Sequence, residues 1–308
     1  MKKNLRKALI CLVSIAILIL NVNTSMLVYA GPYDTFKIST PEQLFDFARA
    51  VNSCVHYPSV ELTNDIYVGT DNIWIPIGTL QHPFCGVFDG KGHTITGLGI
   101  QSQGNHIGLF GVVGRDSGWV GNVYYDIDSQ IYGTVKNVNV AESYFKANSY
   151  VGGICGYAYG DIINCNTIEG EVYANNCVGG NVGLYNGYCW KKGKGIKGKE
   201  DSILEGCKNT GSVKGKHRVG GNVGWLQADG VGKVGGCTGE VRNCINSGDV
   251  CGAKKDIGGN IGKSGEKGRI YSCKNSGCVF GKKNTGLNIG LNNGKATGCT
   301  GTGKVIKK

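Results

Sequence analysis

Two aspartates one residue apart, Asp126 and Asp128, lie close to Trp119, Tyr124 and Tyr125. Paired carboxylates can divide acid and base work at a glycosidic bond. Aromatic rings beside them could hold the flat side of a sugar. The stretch reads as a loop insertion, where acids are normally solvated, so a sugar contact is expected there and catalysis is not. A second group is basic: Lys191, Lys192, Lys194, Lys197 and Lys199 follow one another closely and would attract an anion that salt should displace. These ten residues are the candidate ligand-binding set. A third constellation, Asp89 and His93 about the turn Gly90-Lys91-Gly92, could form an acid–base pair. It is no phosphate loop, because the longer Gly-Lys-Ser/Thr context is missing.

Metal chemistry is not expected. No Cys-x-x-Cys pair occurs, and the five histidines, His56, His82, His93, His106 and His217, are scattered. No cofactor or catalytic residue is assigned. The 14 cysteines need another explanation. Five of them, Cys165, Cys207, Cys244, Cys273 and Cys299, hold one position of an internal repeat. Stacked, they would form an inward ladder of small apolar groups. Bridges between Cys54 and Cys85, or between Cys177 and Cys189, remain open.

The repeat supplies the elements that position everything else. Val178-Gly179-Gly180-Asn181-Val182-Gly183 recurs as Val219 to Gly224 and as Ile257 to Gly262, with an earlier copy at Val151 and a degraded last one at Thr285. A Cys–Asn–Gly–Val element follows each. Successive copies are 27, 41, 38 and 28 residues apart. The surplus falls in residues 184–203 and 225–240, which read as loops inserted between constant strands. Within a copy, Val219, Gly221 and Val223 share one strand face, and Gly220, Asn222 and Gly224 the other. One unit cannot bury its apolar face alone, whereas parallel stacking buries it and pairs the backbone. The fold expected is all-β, a right-handed parallel β-helix of about eight turns and roughly 40 Å.

Composition agrees. Glycine makes up 53 of 308 residues, without the every-third spacing of collagen and with only five prolines. Residues 31–150 hold six Lys/Arg against eleven Asp/Glu, and residues 151–308 hold 23 against eleven. The basic half suits an anionic wall polymer, a glycan or a host surface. It lacks the interleaved aromatics of a nucleic-acid platform, so specific nucleic-acid binding is not expected.

Residues 1–30 read as a signal peptide: Lys2, Lys3, Arg6 and Lys7 precede the apolar run from Ala8 to Leu20, with cleavage expected after Ala30. The mature chain then has no transmembrane segment and is expected outside the cell or on its surface. Residues 31–100 are assigned to an N-terminal cap and lead-in strands, and 101–308 to the solenoid. In the cap, Thr40-Pro41-Glu42-Gln43 predicts a helix start, and Leu44, Phe47, Ala48 and Val51 fall on one helical face. Short strands are expected near residues 60–62, 66–68 and 74–77.

The segment from Phe84 to Gly99 resembles the start of GLUG-repeat proteins, and Gly108-Leu109-Phe110-Gly111 is similar to the motif that names them. The likeness runs over about residues 36–305. It implies a secreted or surface-attached bacterial protein with β-helical repeats, of the kind found in adhesin-like proteins and beside the catalytic domain of immunoglobulin A metallopeptidases. For Asp89 and His93 it implies a turn, with the aspartate on backbone and the histidine in solvent. The peptidase activity does not carry over, because no His-Glu-x-x-His is present. The reading is therefore a noncatalytic surface or secreted β-helix acting in adhesion, binding or scaffolding. The alternative is a carbohydrate-active β-helix enzyme or sugar-binding module.

Overall fold

The computed structural model describes residues 35–69, 73–114, 133–187, 202–228 and 239–307. Residues 1–30, the expected signal peptide, lie outside them. The chain winds into a parallel β-helix. Each full coil visits four sheets, here A to D in chain order, and one coil shows the pattern: Asp161–Ile163 in A, Asn166–Ile168 in B, Glu171–Gly179 in C and Val182–Asn186 in D. Every pairing between named strands is parallel and joins one coil to the next. Val182, Val223, Ile261 and Ile289 lie one above another, so the repeat copies stack as the periodicity requires.

The interior is built of columns. In sheet A, Val60, Phe88, Val135, Ile162, Leu204, Val241 and Ile270 follow in register and are buried. Beside them the thiols of Cys165, Cys207, Cys244 and Cys273 point inward, and Cys299 continues the column half-buried. The ladder expected from the repeat is therefore present. Cys54 is an exposed free thiol, and the bridge to Cys85 does not form.

In sheet B the inward column changes character. Ile66, Ile95 and Val140 give way to Thr167, Asn209, Asn246 and Asn275. Each asparagine donates to the next amide oxygen, Asn209 to Asn246 and Asn246 to Asn275, both at 2.8 Å. Each also donates to the glycine carbonyl two residues on. A second buried ladder runs from Asn181 to Asn222, Asn260 and Asn288 at 2.6 to 2.7 Å. The strand alternation places Asn222 on the face opposite Val223, yet its side chain is fully buried. The reason is local: the chain turns at Gly221-Asn222 between sheets C and D, so the period of two does not run through the motif.

The glycines permit that turn. A Cβ on Gly221 would stand 2.0 Å from the Gly259 carbonyl, and one on Gly224 2.5 Å from the Val178 nitrogen. Gly108 and Gly111 meet the same restriction in an earlier coil, with Leu109 and Phe110 fully buried between them.

Helix α1, Pro41–Asn52, closes the first coils. Thr40 caps it through the Gln43 amide, and Gln43 reaches back to the Ser39 amide at 2.8 Å. Leu44, Phe47, Ala48 and Val51 are buried, and Phe47 packs against Tyr57, Phe84 and Phe88. Coiling starts with Phe36–Ile38 and Ser59–Leu62, which belong to the same sheet as Val87–Asp89. Residues 184–186 finish a sheet D strand and Ile203–Glu205 begins a sheet A strand; Val223–Gln227 and Glu240–Arg242 bracket the next insertion in the same way. The expected segment at 74–77 contributes only single bridges at Ile73 and Ile77.

Candidate binding cleft

Sheet C carries the longest strands, eight or nine residues in the central coils. Each bends at one residue in the left-handed backbone region: Tyr150 (φ 58°), Cys177 (54°), Arg218 (52°) and Asp256 (63°), with His106 and Asn284 at the equivalent points before and after. Side chains there cost roughly 1 kcal/mol each relative to an extended strand. The stacked coils impose the bend, because sheet D must close onto sheet C at the glycine corner. Its effect outside is to set three consecutive side chains around a re-entrant angle.

That angle holds an open cleft of about 460 Å³, lined by Asn148, Ser149, Asn175, Asn176, Lys216, His217, Arg218 and Lys255. Ser149, Asn176, His217 and Lys255 are successive members of one axial column. Beside it Asn175 donates to Asn148 at 3.1 Å. The N-terminal half of the cleft is thus amide and hydroxyl, and the C-terminal half is cationic. No carboxylate is among its lining residues.

Arg218 organises the basic half. Its Nη1 donates to Asn176 Oδ1 at 3.2 Å and reaches Cys177 Sγ at 3.6 Å. Burial pushes the Cys177 thiol up, against the pull of the Arg218 guanidinium. The His217 ring is held below the usual imidazole range by partial burial and then by Lys254, Lys255 and Arg218, with Asp256 opposing. Three polar atoms around this pair are shielded from solvent with no protein partner: His217 Nδ1, Arg218 Nε and Trp225 Nε1. Shielded polar atoms of this kind call for water or a polar ligand. The arrangement can hold a carboxylate or sulfate against cations while amides take up hydroxyl groups.

The sequence did not single out this cleft. Trp119, Tyr124, Tyr125, Asp126 and Asp128, and likewise Lys191, Lys192, Lys194, Lys197 and Lys199, lie outside the described residues. The segments that hold them leave from one corner, between sheets D and A, as does the segment after Ala228. Asp89 and His93 are not brought together as a pair. Asp89 accepts from the Lys91 amide at 2.9 Å and from Asn137 at 3.1 Å, and faces Lys136 at 3.4 Å. Partial burial opposes its ionisation, but the Lys91 amide, Asn137 and Lys136 together hold the carboxyl low. His93 instead meets Asp65 at 3.1 Å. The turn reading describes the Asp89 position. Among the described residues no three His, Cys, Asp or Glu side chains gather as a metal site, and no helix is long and apolar enough to cross a membrane.

No protein-family model matches the chain, and no curated protein matches it. Among solved structures it is similar to a candidate immunoglobulin A1 protease from Bacteroides ovatus, a crystal structure at 1.30 Å resolution. The two share 20% sequence identity and a TM-score of 0.63, over 90% of this chain and 86% of the other. At that identity the likeness establishes a common β-helical fold over nearly the whole of both chains.

Proposed function

We propose that this chain is an exported, noncatalytic β-helix that holds an anionic glycan or wall polymer in the sheet C cleft, and so serves adhesion or anchoring at the cell surface. The observation that carries the reading is the union of Lys216, His217, Arg218 and Lys255 with an amide floor on one rigid face. A polymer lying along the axis would meet an equivalent side chain about every 4.8 Å. Three further points support the reading: the signal-like N-terminal segment, the resemblance to GLUG-repeat surface proteins, and the fold shared with the Bacteroides ovatus protein.

The test is retention of the chain on immobilised polysaccharides, neutral and acidic, from low to high salt. Binding to polygalacturonate should fall steeply with salt, because exposed charge pairs are screened within about 10 Å at 0.1 M. Lys216→Gln combined with Lys255→Gln should weaken it about tenfold or more. Salt-insensitive retention, unchanged in that double variant, would remove the proposal. New reducing or unsaturated ends on the polymer would move the assignment to a carbohydrate-active enzyme.

A further inference from the structure

The thiol column changes at its C-terminal end. Cys165, Cys207, Cys244, Cys273 and Cys299 are all free thiols. Each directs its sulfur toward the carbonyl two residues earlier in the chain, at 3.3 to 3.8 Å, so the five side chains share one orientation. The backbone holds them in register: the Lys274 amide donates to the Cys244 carbonyl at 2.8 Å, and the Thr300 amide to the Cys273 carbonyl at 3.0 Å. A common orientation on neighbouring coils sets sulfur beside sulfur. Cys165, Cys207 and Cys244 are fully buried, which closes them to a reagent. Cys299 is half-buried, and Gly298 and Thr300 on either side of it are exposed. Its neighbour one coil back is Cys273.

This end of the column is chemically different as well. Cys244 and Cys299 both donate to the Cys273 sulfur and hold its thiol well below the usual range, while Cys299, as a donor, is held above it. A thiolate thus stands in contact with a second sulfur that solvent reaches, and the thiolate is the nucleophile of disulfide exchange. In-register Cα atoms on adjacent strands, about 4.8 Å apart, fall within the roughly 4.4–6.8 Å span that a disulfide bridges. Thr300–Gly301 is the last strand of sheet B and pairs on one side only, so Cys299 is free to make the small approach that bonding needs.

We propose that Cys273 and Cys299 form a redox-active dithiol that a low-molecular-weight disulfide converts into a bond between neighbouring coils. One thiolate of the pair attacks R–S–S–R, forming a mixed disulfide and expelling RS⁻. The second sulfur, its proton lost, attacks the protein sulfur of that mixed disulfide, forming the Cys273–Cys299 bond and expelling the other RS⁻. The two protons given up by the cysteines end on two RSH. The dithiol is oxidised by two electrons and the small disulfide is reduced by two. The product closes one complete turn, from Cys273 round to Cys299, into a covalent ring.

The test uses the folded, reduced full chain incubated with oxidised glutathione. The protein is then unfolded, alkylated, digested with trypsin and mapped by mass spectrometry. Residues 270–274 and 296–304 are the tryptic peptides that hold the pair. They should emerge joined, two hydrogens lighter than their sum, while Cys165, Cys207 and Cys244 emerge alkylated. Exposed Cys54 should retain glutathione, which shows the reagent active. Cys273→Ser should leave glutathione on Cys299, because the sulfur that displaces it is gone. Hydrogen exchange at the Thr300 amide should slow at least fivefold in the oxidised parent. The proposal is overturned if the parent keeps Cys299 free or glutathionylated while Cys54 is fully modified, or if Cys244 replaces Cys299 as the partner of Cys273. The parent map decides the matter even where Cys273→Ser fails to fold, and it is independent of what the sheet C cleft binds.

Discussion

The guanidinium carbon of Arg218 sits 4.5 Å from the centre of the Trp225 ring, one residue from sheet C and one from sheet D held face to face across the coil's re-entrant angle. Lys263 approaches the same ring at 5.3 Å from the next coil. The stack fixes the guanidinium while its Nη1 holds Asn176. Arg218→Asn preserves a residue tolerant of left-handed backbone and removes the stack. Stability should fall by about 1–2 kcal/mol, and polygalacturonate affinity by about tenfold. Urea unfolding and calorimetric titration measure the two effects. Affinity unchanged in a folded variant would show that the cleft does not use this cation.

The buried amide ladder makes a sharper prediction about stability. Asn222 accepts from Asn181 and donates to Asn260, both at 2.6 Å. Asn222→Ala would orphan two buried polar groups, each costing about 1–3 kcal/mol. A loss of roughly 3 kcal/mol or more is expected in urea. Asn148→Ala, in the exposed ladder of the cleft, should shift the midpoint far less. Equal effects would mean that the interior amides are hydrated and do not hold the coils together.

Cysteine reactivity should report the same interior. Burial pushes the Cys165 and Cys244 thiols well up, and the thiolate is the reactive form. A thiol reagent should therefore modify exposed Cys54 quickly in the native protein, and Cys165 and Cys244 only on unfolding. Unfolded without reductant, the chain should titrate at least five free thiols. A lower count would contradict the ladder.

These features differ in how readable they were. The stacking of Val182 on Val223 and Ile261 follows from closely similar repeat copies, and so does the cysteine column. Helix α1 was legible because Thr40, Pro41 and Gln43 are local signals acting over one turn. The inward turn of Asn222 was not, because it depends on glycine corners that let two backbones approach closely. The cleft had a signal that went unused. The pair before each Gly-Gly motif forms an aligned column, Ser149-Tyr150, Asn176-Cys177, His217-Arg218 and Lys255-Asp256. Linear charge counting drew attention instead to the denser run from Lys191 to Lys199. Residues one repeat apart, such as His217 and Lys255, become neighbours only when coils stack.

The cleft should also respond to pH. His217 has its proton affinity lowered by partial burial and by Lys254, Lys255 and Arg218, so its folded pKa lies below the unfolded value near 6.5. Two consequences have opposite signs. Its contribution to stability is present above about pH 6.5 and is lost as pH falls toward the folded pKa. Affinity for a polyanion rises over the same fall, since protonation adds a cation to the site. One extra charge at contact distance in a water-like medium adds about 1 kcal/mol, or roughly fivefold. A sulfated oligosaccharide, which keeps its charge throughout, is the suitable probe, with His217→Gln as control. A flat profile in the parent chain would exclude His217 from the site.

The insertions at the corner between sheets D and A carry a mechanical consequence. Pulled from its C-terminus, a stack of coils peels one turn at a time, since each turn is held chiefly by its neighbour. At about 3.4 Å per extended residue, the 27- and 28-residue repeats would each release about 90 Å of chain, and the 41- and 38-residue repeats about 140 Å and 130 Å. The extra length lies between a sheet D strand and the next sheet A strand, so each longer turn pays out more chain for one set of strand pairings. Under tension they would act as built-in slack, paying out more tether per rupture in the middle of the rod than at its ends.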